Sequence, residues 1–245
     1  PRSTLFPYTT LFRSVAAVDP NDSVGILDQY SFDTRFFTEI ERFDRHLEKL
    51  RRGPEENRVN WITVCSPNYL HDAHCRLGLR VGANVLCEKP LVTTTEDALR
   101  VLEAEQRAGR KLVTVGYMRR FDAGYQQLRA ALVAGEHGYA TLVHCRHRNP
   151  SVPENYTTRN MIDDTASHEI DICRYLLGEE IVRVRVEAPR ATSHRFAHLQ
   201  DPLVLVAYTE SGVRIDDEVN VNLQWGYSIE CEMVMETGTI RLGDQ

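Results

Sequence analysis

The chain has 245 residues, 26% of them charged and 42% hydrophobic, with a formal net charge of −6. That length suits one large domain or two modest ones with a buried core, and the ordinary balance excludes disordered and fibrous classes. The acidic surplus offers no field for nucleic acid or an anionic membrane surface, and no apolar run approaches the roughly 20 residues of a spanning helix.

Read in chain order, residues 1–14 come first and fit no element. The Phe-Pro-Tyr-Thr-Thr-Leu-Phe run has no period that continues into Val15 and beyond. It also lacks the apolar core and small-residue cleavage site of a signal peptide, so it reads as a foreign leader. Val15 to Val18 is an apolar strand end followed by Asp19. Phe36, Ile40, Phe43, Leu47 and Leu50 share one face at helical spacing, which predicts a helix from Phe36 to Arg52. Trp61 to Cys65 reads as a buried strand that runs into Ser66-Pro67-Asn68. Asp72 to Val81 is a helix stopped at Gly82, and Val85 to Cys87 is a third strand. A helix over Thr95 to Ala108, closed by Gly109, precedes a fourth strand at Leu112 to Val115. Short apolar strands alternating with helices describe a parallel, doubly wound, Rossmann-like α/β sheet.

The pattern then changes. A helix over Ala123 to Ala134 leads to a strand at Ala140 to Arg148, a loop rich in Pro and Asn, and a helix from about Thr165 to Leu177. From Ile181 the chain is strand-like, with turn signals at Ser211-Gly212 and Thr237-Gly238. Partial alternation at Val213, Ile215, Val219, Val221 and Leu223 is that of an antiparallel sheet with one covered face. The expected organisation is a leader over 1–14, a partial dinucleotide-binding domain over 15–118, and an α+β domain with an open, mostly antiparallel sheet over 119–245. The Gly-rich phosphate loop of a dinucleotide fold has no counterpart here, since the first glycine is Gly25. With the end at Gln245 directly after a strand, this reads as an internal fragment of a longer enzyme.

Six cysteines (Cys65, Cys75, Cys87, Cys145, Cys173 and Cys231) include no C-x-x-C pair. They read as small buried hydrophobes of a reducing, cytoplasmic compartment rather than a disulfide framework. His71-x-x-His74 has a metal-like spacing, but it completes no recognisable ligand signature, and no metal is expected.

The chemistry concentrates in Val85-Leu86-Cys87-Glu88-Lys89-Pro90. Here a buried strand ends in an acid, a base and a proline, at the carboxyl end where open α/β sheets place their ligands. A solvated lysine in an ordinary loop is the alternative. Asp164 and His168 supply acid–base partners. They stand four apart, so on one helix face the carboxylate could orient the imidazole, which is the natural base for a hydroxyl proton. Helix capping for Asp164 and a surface position for His168 are the alternatives. His147 and Asn149 alternate at a strand end, so both can face one cavity. Asp19 stands where an acid would accept from the adenosine ribose and repel a 2′-phosphate, which favours NAD over NADP.

Glu88-Lys89-Pro90, the preceding Ser66-Pro67-Asn68-x-x-His71 and the later Asp164-x-x-x-His168, taken in this order, resemble the Gfo/Idh/MocA oxidoreductase family. The resemblance implies a Rossmann domain followed by a substrate domain. It assigns Lys89, Asp164 and His168 to catalysis. Ser66, Pro67, Asn68, His71, Glu88 and Lys89 join Asp19 near the cofactor. Lys89, Met118, Arg119, His147, Asn149, Asp164, His168 and Tyr227 take the substrate side. Trp225 departs from the pattern, standing where a tyrosine is usual in inositol-oxidising members. Within the family, Val15 to about Val92 is similar to UDP-N-acetylglucosaminuronate 3-dehydrogenases. From about Thr93 the chain is similar to inositol 2-dehydrogenases, through Gly116-Tyr117-Met118-Arg119-Arg120-Phe121-Asp122, His147-Arg148-Asn149-Pro150 and Trp225-Gly226-Tyr227. Both groups share Cys-Glu-Lys-Pro-Leu, so the chain reads as a join at that string. The implied activity is NAD-dependent oxidation of a secondary alcohol of a polyol or sugar by a homo-oligomer, a tetramer in the intact enzyme. A nucleotide-sugar acid dehydrogenase and a non-catalytic sugar-binding fragment are the other readings.

Overall fold

The computed structural model describes residues 13–22, 25, 27, 29, 31 and 33–243. The leader reading lies outside the described residues except for Arg13 and Ser14. By contacts the chain divides into two compact units, one made of Pro1–Cys87 with Thr94–Thr114, the other of Glu88–Thr93 with Val115–Gln245.

In the first unit, β1 (Ala16–Val18) pairs in parallel with β2 (Arg35–Phe37), and β3 (Trp61–Val64) pairs in parallel with β4 (Asn84–Cys87), which β5 (Val113–Val115) flanks on its other side. Helices α1 (Ile40–Arg52), α2 (His71–Val81) and α3 (Thr95–Ala108) connect them. The expected helix from Phe36 begins only at Ile40. Phe36 and Phe37 sit opposite Ala17 and Val18 as strand residues, because an unpaired β1 needs those backbone partners more than the helix needs another turn. Phe43 and Leu47 still bury their face, against Val18, Phe37, Val81 and Ala83. Gly78 lets α2 lie directly on β4, since a Cβ there would meet Val85 Cγ2 at 2.5 Å. Cys65 is exposed rather than buried, because β3 ends one residue earlier and leaves it beyond the sheet.

The second unit is built on a six-stranded sheet in the order β11-β10-β6-β9-β8-β7, comprising β6 (Ala140–Arg148), β7 (Ile181–Glu187), β8 (Leu203–Thr209), β9 (Arg214–Asn220), β10 (Ser228–Met235) and β11 (Thr239–Leu242). Only β6 and β9 run parallel; the other neighbours are antiparallel. Helices α4 (Ala123–Ala134) and α5 (Ser167–Leu177) cover one face, joining Tyr125, Leu128, Ile172, Cys173 and Leu176 to Val143, Cys145, Ile215, Cys231 and Met233 in one core. Helix α5 is shorter than expected. It follows a single α-turn at Thr158–Asn160 and a π-helical segment at Met161–Ala166, and it ends at Gly178 with φ 69°. Among the described residues no helix is long and apolar enough to cross a membrane.

Candidate active site

The Glu88–Thr93 segment leaves β4 and packs within the second unit, where Lys89 reaches the π-helical segment. Lys89 Nζ donates to Asp164 Oδ1 at 2.5 Å and to the Asp164 carbonyl at 2.9 Å. Widened helical turns of this kind re-aim side chains and recur at functional sites. Lys89 and Asp164 line a cavity of about 320 Å³ together with His147, Asn149, Val152, Pro153, Tyr156, Thr165, His168 and Tyr227. That is the lower end of the range for small-molecule sites, about 300–1,000 Å³.

Asp164 therefore orients Lys89, not His168. The four-residue spacing presumed an α-helix back to the aspartate, and the π-helical segment ending at Ala166 removes that premise. The inward nitrogen of His168, Nδ1, is buried with no hydrogen-bond partner among the described residues, so Nε2 is the nitrogen left for a ligand. Burial lowers the His168 pKa to about 4, with the cations Arg119 and Lys89 adding to the effect and Glu169 opposing it. At neutral pH the ring is uncharged and able to accept a proton.

The sign of this shift gives a pH prediction. Between the ordinary histidine value of 6.5 and about 4 the unfolded chain binds a proton that the native ring refuses, so native stability falls as pH falls through that window. Denaturant midpoints measured down this range should decline, and His168→Gln should remove part of the decline. An unchanged pH dependence in that variant would rule out the lowered value.

His147 and Asn149 both reach the cavity as their alternation requires, and Tyr227 closes against the His147 ring edge-on at 5.9 Å between centroids. Two expected substrate residues do not line it. Met118 is 61% exposed on a 3-10 turn. Arg119 is 6% exposed and turned inward, pairing with the buried carboxylate of Glu169, with Nη2 3.2 Å from His147 Nδ1. A loop arginine looks solvated in sequence, and only the buried acid 50 residues later on α5 explains its direction. That acid, Glu169, carries no signal in sequence, because an acid beside a histidine ordinarily marks a helix surface. Tyr156 and Thr165 likewise stand out by no local pattern. Their hydroxyls bond each other at 2.7 Å in the cavity wall, and burial pushes the Tyr156 phenol up to about 12.

The expected cofactor residues follow strands of the first unit, with Glu88 and Lys89 themselves counted in the second. Asp19 follows β1, and its Oδ1 accepts from the Asn21 backbone at 2.8 Å and side chain at 3.1 Å. Ser66-Pro67-Asn68 follows β3. His71 is fully buried, with Nε2 2.8 Å from the Ser66 carbonyl, and His74 Nδ1 lies 2.9 Å from Ser66 Oγ. A carbonyl only accepts, so His71 Nε2 donates and holds the turn. Both histidines thus serve Ser66, and among the described residues no group of three or more His, Cys, Asp or Glu is arranged to hold a metal ion. Glu88 is exposed and follows β4, its carboxylate 3.3 Å from the Lys89 amide.

Comparison with known proteins gives the same two-part picture. Residues 9–117 match the profile of the Gfo/Idh/MocA oxidoreductase family, NAD-binding Rossmann fold, and residues 125–241 match the Gfo/Idh/MocA C-terminal domain. Inositol 2-dehydrogenase 3 of Saccharopolyspora erythraea is 50% identical over 186 residues, which are 76% of this chain and 55% of that protein. Inositol 2-dehydrogenase of Pseudomonas syringae is 47% identical over 184 residues, 75% of this chain and 55% of that protein. The chain thus spans about half the length of the curated relatives it matches. The crystal structure of myo-inositol dehydrogenase from Lactobacillus casei in complex with NAD(H) and myo-inositol superposes with a TM-score of 0.83 at 30% identity, covering 94% of this chain and 66% of that one.

Proposed function

The chain belongs to the Gfo/Idh/MocA oxidoreductase family, and on that premise we propose that it carries the substrate site of an NAD-dependent dehydrogenase that oxidises myo-inositol at one secondary hydroxyl. The observation that carries this reading is the make-up of the cavity wall. Lys89, Asp164 and His168 provide acid–base chemistry, His147, Asn149, Tyr156, Thr165 and Tyr227 provide polar contacts, and Lys89 is the one Lys or Arg among the lining residues. A neutral polyol needs many such groups, because each hydroxyl left unpaired in a closed site costs about 1–3 kcal/mol. A nucleotide-sugar acid carries a diphosphate and a carboxylate, for which this wall offers only a cation already paired with Asp164.

Residues that follow the strands of the first unit fit a dinucleotide. Asp19, Ser66-Pro67-Asn68 and Glu88 follow the carboxyl ends of β1, β3 and β4, the position at which open parallel sheets bind nucleotides. Asp19 has one carboxylate oxygen turned into its own turn, leaving the other for the ribose hydroxyls, and its charge disfavours a 2′-phosphate. When bound, NAD supplies the hydride acceptor. The chain's own residues do the rest. His168 Nε2 takes the hydroxyl proton, Lys89 Nζ stabilises the alkoxide oxygen that develops, and Asp164 keeps Lys89 aimed. The charged ring is disfavoured by burial and by the cations Arg119 and Lys89, so at neutral pH the proton passes on to solvent and the neutral base is restored. The six free cysteines agree with a reducing cytoplasm. The valine stripe of edge strand β7, with Val182, Val184 and Val186 at 60%, 57% and 49% exposure, supports assembly into a homo-oligomer.

The test is formation of reduced nicotinamide by the chain supplied with NAD and either myo-inositol or a UDP-linked uronic acid. Turnover with myo-inositol alone is expected, and turnover with the nucleotide sugar alone would overturn the substrate reading. Asp19→Ser should narrow the preference for NAD over NADP by about tenfold, since one charge–charge contact of roughly 1.4 kcal/mol is removed.

A further inference from the structure

We propose that Glu169 is a positioning residue that locks His147 in the tautomer whose Nε2 is a bare acceptor, so that His147 reads a donated hydroxyl hydrogen of the substrate. The identity of that substrate rests on the polyol reading above; the lock itself does not.

Burial sets the constraint. Glu169 is 1% exposed, Arg119 6% and His147 4%, so their charges and protons must balance locally. His147 Nδ1 lies 3.1 Å from Glu169 Oε1 and 3.2 Å from Oε2, and Arg119 Nη1 pairs with the same carboxylate. Arg119 Nη2 is also 3.2 Å from His147 Nδ1. One nitrogen cannot both donate to Glu169 and accept from Arg119.

Charge decides between the two. The guanidinium is always cationic. A second buried acid near this cluster is Asp217, opposite Cys145 in the β6–β9 register and 2% exposed, with neither oxygen hydrogen-bonded among the described residues. Burial raises it far above the ordinary carboxylate range, so it stays neutral. Glu169 is then the carboxylate ion-paired with Arg119, and its own pKa is held down, with His147 and Arg119 outweighing its burial. Cation and anion cancel, which leaves His147 neutral with one N–H. An ionised carboxylate only accepts, and its bond to an N–H is charge-assisted, so the proton sits on Nδ1. Nε2 carries a lone pair. It is not among the buried unpartnered atoms and bonds to no described residue, which leaves it open to the cavity that His147 lines.

The contrast with His168 is informative. The two rings are 6.1 Å apart, yet Nδ1 of His168 has no partner among the described residues. One ring is fixed for recognition; the other is free to exchange a proton. A neutral polyol hydroxyl that donates to His147 Nε2 is thereby turned in a set direction, and its oxygen remains free to accept from another wall group. Glu169 is not among the cavity-lining residues and acts through His147 and Arg119.

The experiment is a long-range ¹H–¹⁵N spectrum of the ligand-free, ¹⁵N-histidine chain, with His147 assigned by comparison with His147→Gln. The expected signature is a neutral ring protonated at Nδ1. Protonation at Nε2, or at both nitrogens near neutral pH, overturns the proposal without any variant of Glu169. In Glu169→Gln the amide can donate as well as accept, so the signature should move toward the Nε2–H form. The dissociation constant for myo-inositol, read by calorimetry, should rise about 5- to 100-fold. A variant that keeps both the Nδ1–H signature and its affinity also overturns the lock. If the signature is present but myo-inositol does not bind, the lock stands and the polyol reading fails.

Discussion

Replacing Lys89 by methionine is expected to lower kcat for polyol oxidation by about 10²–10³-fold while leaving the fold intact. The side chain is the one cation among the cavity-lining residues, and preorganised charge aimed at a developing oxyanion is typically worth that factor. Methionine keeps much of the stem volume and removes the charge, so the packing around Pro90 and Asp164 changes little. The Lys89–Asp164 pair is partly exposed, at 21% and 35%, and its loss should cost on the order of 1 kcal/mol of stability. Steady-state kinetics together with a thermal melt separate the two effects. Lys89→Arg retains the charge but substitutes a planar fork for a point donor, and should recover only part of the activity. Full activity in Lys89→Met would show that the lysine has no part in the chemistry.

The second large effect is on stability. Ile172 is fully buried on α5 at the centre of the second unit's core, on the helix that also carries His168 and Glu169. Ile172→Ala removes three carbons and leaves a cavity that a sheet-and-helix core can only partly close, at a cost of about 2–5 kcal/mol. For a chain of this size that corresponds to a fall in Tm of roughly 5–15 °C. Denaturant titration followed by intrinsic fluorescence would measure it. A loss under about 1 kcal/mol would mean that α5 is not anchored where the core places it.

Much of the site is legible in the sequence alone, and the reasons differ from residue to residue. Lys89 is legible because an apolar strand ending in Glu-Lys-Pro puts charge where solvation is poor. His147 and Asn149 are legible because strand alternation is strict, and both line the cavity. Asp164 is legible as a residue but not as a partner. Its spacing to His168 presumes an α-helix, and the π-helical segment over Met161–Ala166 gives its carboxylate to Lys89 instead. Arg119 and Glu169 are the hardest. Each looks solvated when seen alone, and only the meeting of a 3-10 turn with α5 brings them together as a buried pair. The strand Arg35–Phe37 is hidden for a related reason. Two adjacent phenylalanines satisfy a helical face as well as they do a strand, and the backbone needs of β1 settle the matter. Local periodicity carries the elements, whereas buried charge partners depend on contacts distant in sequence, which no local pattern encodes.

The most direct test of the central claim tracks one atom. The chain is incubated with NAD and myo-inositol deuterated at the carbon bearing the reacting hydroxyl, and the reduced nicotinamide is examined by NMR. Deuterium on the nicotinamide ring, accompanied by a ketone at that carbon and lost in Lys89→Met, is the result expected if this cavity oxidises a polyol by hydride transfer. Binding of myo-inositol with no deuterium on the nicotinamide ring, or deuterium transfer that is unaffected by Lys89→Met and His168→Gln, would contradict it.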